Sequence, residues 1–416
     1  MVKRKYLLII MLILSMLAVG CETNITAMTM EKPDEQILDA FDKEIVKRQN
    51  QFGFDLYQVL KEEKNVLISP FSIGAAMNMV YSGTDGASQK EMAEAMHIFG
   101  LDEKEASENL LAQLYYLKTG DEKVELLTAN SAWFREDVPF LESYRDRLEM
   151  YHLAETKSLD FMDPQAANII NQWVKQATNK KITDIVEDPI DPLTILFLMN
   201  ALYFNGEWTY SFDTQDTYLG TFTDYKQEVN EAFMMHQTGQ FSYYADETKK
   251  AIRLPYGEEK RFGMYVLLPQ DAASLSELKK SITSGTWEEL KKELDEQKGA
   301  LSLPRFSLTY ETPLKPMLNE LGIRKVFDPY RSDFSNMVSK EYREDIYISE
   351  VLHKTLIEVD ERGTEAAAVT SVEIGVTSLP ALDFEMKVDR PFVLILEDEV
   401  TETILFLGHV DTLKDS

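Results

Sequence analysis

Cys21 is the single cysteine of this 416-residue chain. A domain built from it holds no internal disulfide and must stand on packing alone. Basic residues are also scarce. Lys and Arg total 43 against 71 Asp and Glu, a net charge of −28. Such a balance argues against nucleic-acid partners, which need a basic face to neutralise phosphates. Five histidines are scattered through the chain, at 97, 152, 236, 353 and 409. There is no HExxH motif and no cysteine pair, so no metal site and no cofactor is expected. A GxSxG elbow and a glycine-rich phosphate loop are both missing, and the chain is read as a non-enzyme. No apolar run reaches the ~20 residues of a membrane helix. Fixed-period repeats and low-complexity segments are absent.

What is present is 44% apolar and 11% aromatic content, enough for a large core. The first twenty residues stand apart. Lys3, Arg4 and Lys5 precede an apolar run of fourteen residues, Tyr6 to Val19, then Gly20 and Cys21. This pattern is a secretory signal over 1–20. The run LAVGC, Leu17 to Cys21, resembles the lipobox of bacterial lipoproteins, with Ala18 where leucine is usual. That resemblance implies an acylated Cys21, a membrane partner reached through the lipid, and a place on a bacterial cell envelope. An ordinary signal peptide with an incidental cysteine, giving a secreted protein, is the alternative. Residues 21–37 read as a flexible tether. No linker interrupts 38–416, so one domain is expected there.

Helical periodicity covers 38–62, 70–82, 88–98, 103–117, 139–150, 164–180, 274–294 and 312–321. Strand-like runs cover 125–134, 195–204, 229–244, 248–254, 262–269, 299–309, 346–359, 385–396 and 402–409. Helices dominate early and strands late, which is an α+β pattern with a large sheet. One stretch obeys no single rule: DERGTEAAAVTSVEIGVTS, Asp360 to Ser378. Its alanines favour helix, and its valines, threonines and isoleucine favour strand.

Several runs, in order, resemble the serpin family. NVLISPFSIGAAMNMVYSGTDGAS (65–88) looks like the family's second helix, and INQWVKQATNKKITDIV (170–186) like the helix that crosses its main sheet. TILFLMNALYFNGEW (194–208) resembles the NA-x-YF-x-G-x-W strand. MMHQTGQFSY, LPYGEEKRFGMYVLLP, LPRFSLTY, HKTLIEVDERGTEAAAVT and DRPFVLILEDEVTETILFLGHV follow in family order. The likeness spans about 38–412. It implies a fold of three β-sheets with eight or nine helices, and an exposed reactive loop within 360–378 that enters the main sheet once cut.

The hinge of that loop can be read strand-wise. Taking Thr364 as the first inserted residue, one face is Thr364, Ala366, Ala368, Thr370, Val372, Ile374 and Val376, without charge. The other is Glu365, Ala367, Val369, Ser371, Glu373, Gly375 and Thr377, which takes both charges. One face suits a core and the other a solvent-side cover. Neither proline nor an inward charge stands in the way. The resemblance further implies a hinge of Glu361, Gly363, Thr364, Glu365, Ala366, Ala367, Ala368 and Thr370. It implies a polar cluster beneath the sheet, the family's shutter, of Ser69, Ser72, Asn200 and His353. It implies a breach, where insertion begins, of Trp208, Arg305 and Glu361.

By the same resemblance the expected function is suicide inhibition of endopeptidases, ending in a covalent complex with the target protease. Counting from Glu361 places the reactive bond at Thr377-Ser378, with Val376 the alternative. No Lys or Arg lies between Arg362 and Lys387, which disfavours trypsin-like targets. Elastase-like or subtilisin-like serine proteases, and papain-like cysteine proteases, fit better. Leu379, Leu382 and Phe384 are expected secondary cleavage points. The protein is expected to be a monomer. A serpin that binds or stores without inhibiting is the alternative.

Overall fold

The computed structural model describes residues 34–39, 41–182, 185–271, 274–342, 346–349, 351–364 and 381–413. The chain begins with α1 (Glu35–Asp39), α2 (Lys43–Leu60), β1 (Val66–Ile68), α3 (Pro70–Gly83), α4 (Gly86–Ala95) and α5 (Glu103–Lys118). It continues through β2 (Val124–Arg135), α6 (Glu142–His152), β3 (Ala154–Leu159), α7 (Ala166–Ala177) and β4 (Leu196–Glu207). Then come β5 (Tyr218–Thr223), β6 (Val229–Ala245), β7 (Lys249–Tyr256), β8 (Phe262–Pro269), α8 (Leu275–Ser281) and α9 (Ser284–Glu293). Two more strands, β9 (Asp295–Pro304) and β10 (Phe306–Pro313), lead into α10 (Lys315–Glu320). The last elements are β11 (Leu352–Val359), β12 (Gly363–Thr364), β13 (Phe384–Lys387), β14 (Phe392–Asp398) and β15 (Thr403–Val410).

These strands form three sheets in the described residues. The largest runs β1-β15-β14-β8-β7-β6-β9-β13, with β5 added beside β6. Its centre is apolar almost without a break. β8, β14 and β15 are buried along their whole length, as expected of strands covered on both faces. The other two sheets are a four-stranded one, β12-β4-β2-β3, and a pair, β10-β11. β11 alternates strictly. His353, Thr355, Ile357 and Val359 point inward, while Lys354, Leu356 and Glu358 stay partly exposed.

α3 sits in the middle of the molecule and is buried nearly all round. It starts cleanly, with Pro70 in its first turn and the Ser69 side chain accepting from the Ser72 N–H. α7 lies on β2 and β4 through an apolar cluster that includes Ile170, Trp173, Val174, Trp133 and Met199.

The fold class expected from the sequence, α+β with three sheets, is the one observed. Ten α-helices are present among the described residues, where eight or nine were expected. The surplus is short. α1 begins at Glu35, ahead of the expected boundary at 38. The run 274–294 is two helices, because Thr283 and Thr286 cap each other reciprocally and start a new one. The run 299–309 is two strands, parted at Arg305, where the chain leaves one sheet for another. The run 385–396 is also two strands, parted around Pro391, which has no N–H to give a ladder. Strand 346–359 starts only at Leu352. β1, β3 and β5 were not anticipated. β1 is three residues long, and β3 and β5 carry too few buried positions to show a period.

Candidate functional site

β4, bordered on that side only by the two-residue β12, and β11 are the facing strands of the two smaller sheets, and among the described residues they share no ladder. At their upper end the chain turns back from β11 to enter the space between them. The turn is local chemistry. Asp360 N–H donates to Gly363 O at 2.9 Å. The Asp360 carboxylate accepts from Arg362 N–H at 2.8 Å and Gly363 N–H at 3.3 Å, a side-chain-closed turn. The returning strand β12 pairs antiparallel with β4, Gly363 opposite Glu207 and Thr364 opposite Gly206.

Position 363 tolerates no side chain. Its φ is +150°, and a Cβ there would stand 1.9 Å from Gly206 O. Thr364 is buried, and its Oγ1 lies 2.8 Å from the Tyr256 hydroxyl. Just below it a slot opens, lined by Tyr203 and Phe204 of β4, Leu356 and Glu358 of β11, and Thr364 itself.

The turn is fastened from the side by the expected breach residues. Trp208 stacks on Tyr256 with ring centroids 4.1 Å apart and donates from Nε1 to Asp360 O at 2.9 Å. Its backbone N–H donates to Arg362 O at 2.7 Å, and Phe212 N–H donates to Glu361 O at 2.8 Å. Arg305 Nε donates to Glu361 Oε1 at 2.6 Å, and Thr217 Oγ1 donates to the same oxygen at 2.5 Å. Burial works against ionising Glu361. The hydrogen bonds from Arg305 and Thr217 outweigh it and hold this carboxyl below the usual range.

Beneath the slot the four expected polar residues come together. Ser69 N–H donates to His353 Nε2 at 3.0 Å, so the ring proton sits on Nδ1. Ser72 N–H donates to Ser69 Oγ at 3.1 Å, and Ser72 Oγ donates to Asn200 Oδ1. Asn200 Nδ2 donates to Asn130 Oδ1 at 2.6 Å, and Asn130 Nδ2 to His152 O at 2.6 Å. The first turn of α3 thereby links β11 on one side to β4 and β2 on the other. Burial holds His353 neutral, its pKa lowered to about 3.

Asn130, Thr217, Tyr256 and Gly206 take part in this arrangement and were not singled out from the sequence. Gly206 and Tyr256 lie in runs that resemble the family's, Asn130 and Thr217 in runs of ordinary composition, and the role of each appears only when the strands are placed. Glu365, Ala366, Ala367, Ala368, Thr370, Val376, Thr377, Ser378 and Leu379 lie outside the described residues, as does Cys21. Phe384 corrects the expectation of a cleavage point there. It is buried in β13, stacked on Tyr243 at 3.7 Å, over the bare backbone of Gly299. A protease needs an accessible segment with an unpaired backbone, and a buried strand already paired to β9 offers neither. Leu382, just before that strand, is exposed.

Among the described residues, Gly363 and Thr364 stand beside β4 at the upper end, and below them no strand pairing joins β4 to β11. Known proteins resemble this chain over most of its length. A family model described as serpin (serine protease inhibitor) matches residues 47–412. A serpin-like protein of Methanosarcina acetivorans is 32% identical, covering 96% of this chain and 94% of its own. The crystal structure of the thermophilic serpin tengpin in its native state superposes with a TM-score of 0.81 at 30% identity, covering 90% of this chain and 95% of tengpin. Human thyroxine-binding globulin complexed with thyroxine gives 0.80 at 25% identity, covering 91% of this chain and 99% of the globulin.

Proposed function

The chain belongs to the serpin family, and from that premise we propose that it is a suicide inhibitor of endopeptidases. The observation that carries this reading is the slot between β4 and β11, entered at the top by Gly363 and Thr364. A target protease attacks the loop as substrate. Its nucleophile takes the acyl group of Thr377, or of Val376, and the amine of the next residue leaves. The freed strand, residues 364–376, then enters the slot. At ~3.3 Å per residue it reaches about 40 Å down the sheet, carrying the acyl-enzyme with it before water can release it. The outcome is a race between insertion and deacylation.

Residues named from the family likeness take mechanistic roles in this scheme. Gly363 provides the bend through which the strand folds back. Trp208, Arg305 and Glu361 hold the loop root while the chain below it moves. Ser69, Ser72, Asn200 and His353 bind the facing strands through hydrogen bonds that can be exchanged as they part. The bait has small or β-branched side chains and no basic residue, which supports elastase-like or subtilisin-like serine proteases, or papain-like cysteine proteases. Acylation of Cys21 would anchor this activity to a membrane, with the inhibitor monomeric on its tether.

The likeness to thyroxine-binding globulin supports a second reading, a serpin that binds a ligand and does not inhibit. Incubating residues 22–416 with elastase and with subtilisin separates the two. Inhibition predicts a covalent band at the summed mass on a denaturing gel and a released fragment starting at Ser378. A clean cut with no covalent band by either protease speaks for the binding protein.

A further inference from the structure

The slot has a cover as well as walls. α7 and the strap after it lie over β2 and β4, and the strap is shaped by its own residues. Thr178 Oγ1 donates to Val174 O at 2.9 Å and accepts from Ile182 N–H at 3.1 Å. Asn179 and Lys180 take positive φ, 48° and 68°, which reverses the chain. Ile182 is thereby turned into the apolar cluster with Ile170, Val174 and Met199. Further on, Asn171 pins the strap to the helix. Its Oδ1 accepts from Ile185 N–H at 3.0 Å and Val186 N–H at 2.9 Å, and its Nδ2 donates to Val186 O at 2.8 Å.

These anchors all belong to the β4 side of the slot. Lys181 reaches to the other side. Its Nζ lies 2.8 Å from Oε2 of Glu358, on β11. Glu358 is also one of the residues that line the slot. The ion pair therefore joins the two walls that a new strand must part.

We propose that Lys181 and Glu358 form a clasp over the slot, and that its opening helps set the rate at which a strand enters. This rests on the insertion reading above. A strand between β4 and β11 sets them ~9.5 Å apart, twice the usual spacing, and drives apart a cover fixed to one wall and tied to the other. The side chains are 26% and 40% exposed, so the pair adds little to static stability and is screened by salt. Its effect falls on a rate and is sensitive to ionic strength.

The test uses the intact protein and a capped peptide with the sequence of residues 364–376, carrying Glu365→Gln and Glu373→Gln so that net charge plays no part. Uptake is followed by fluorescence of a label on the peptide, at low and high salt. Lys181→Met and Glu358→Gln are each expected to take up peptide several-fold faster than wild type. The double variant is expected to be no faster than Lys181→Met alone, since that change already removes the pair with Glu358. Salt should speed wild type and leave the variants unchanged, and Lys181→Arg should behave as wild type. Variants at the wild-type rate, or single effects that multiply in the double variant, would overturn the clasp. Failure of wild type to take up any peptide would overturn the insertion reading, and the clasp with it.

Discussion

His353 has one described partner on its ring, the Ser69 N–H, and burial keeps it uncharged. His152 and His409 are held the same way, each with its pKa lowered to about 3, burial being the larger cause and a nearby cation, Arg147 or Lys279, adding to it. A folded pKa below the unfolded ~6.5 means that the unfolded chain takes up the proton first as pH falls. The stability these groups contribute is therefore complete above pH ~6.5 and drains away towards pH ~3. Thermal unfolding followed from pH 7 to 4 should show a falling midpoint. In His353→Gln the acid-side slope should shrink by the share of one proton, the one that His353 takes up only on unfolding. An unchanged slope would mean that His353 is not held neutral. At this scale the sequence was partly legible. His353, Ser69, Ser72 and Asn200 were named through motifs, and so was the Arg305–Glu361 pair. Lys181 and Asn130 were not, because nothing in a lysine after a helix, or an asparagine in a strand, says what lies across a sheet from it.

The element that matters most is the shortest. β12 is two residues long, yet it would set the register of a strand entering after it, because Thr364 already faces Gly206 and already points inward to Tyr256. An entering strand continues that alternation, so a charge at 364 would have to be desolvated without a partner at the first step. On the proposed function, Thr364→Arg should turn the protein from an inhibitor into a substrate. Each ~1.4 kcal/mol added to the insertion barrier slows it about tenfold, and an unpaired buried cation costs several times that. Titration against an inhibited protease should show the variant cleaved and the protease still active. Full inhibition by it would refute entry at this point. The rest of the element pattern divides by physics. Long apolar strands such as β8, β14 and β15 announced themselves. Breaks at Thr283, Arg305 and Pro391 hid inside continuous apolar runs, where one cap, one change of sheet or one missing N–H decides. The slot is a pairing not made among the described residues, and no period in a sequence records that.

On the scale of the molecule, the described residues hold two sheets that one strand would join. Filled, β10, β11, the new strand, β4, β2 and β3 would form one six-stranded sheet. The native form would then be a kinetically held state, kept from the deeper one by the barrier to entry. A chain without a disulfide can hold it so only through packing, as the large core permits. The central claim is that the freed segment fills this slot. The measurement that tests it most directly is thermal unfolding of the protein before and after a single cut in the 377–378 region. Some ten new hydrogen bonds at ~1 kcal/mol each, with ~1–2 °C per kcal/mol for a chain of this size, predict a rise of at least ~10 °C on cleavage. A cleaved protein that melts where the intact one does would contradict the account, because a strand that entered the sheet could not leave its stability unchanged.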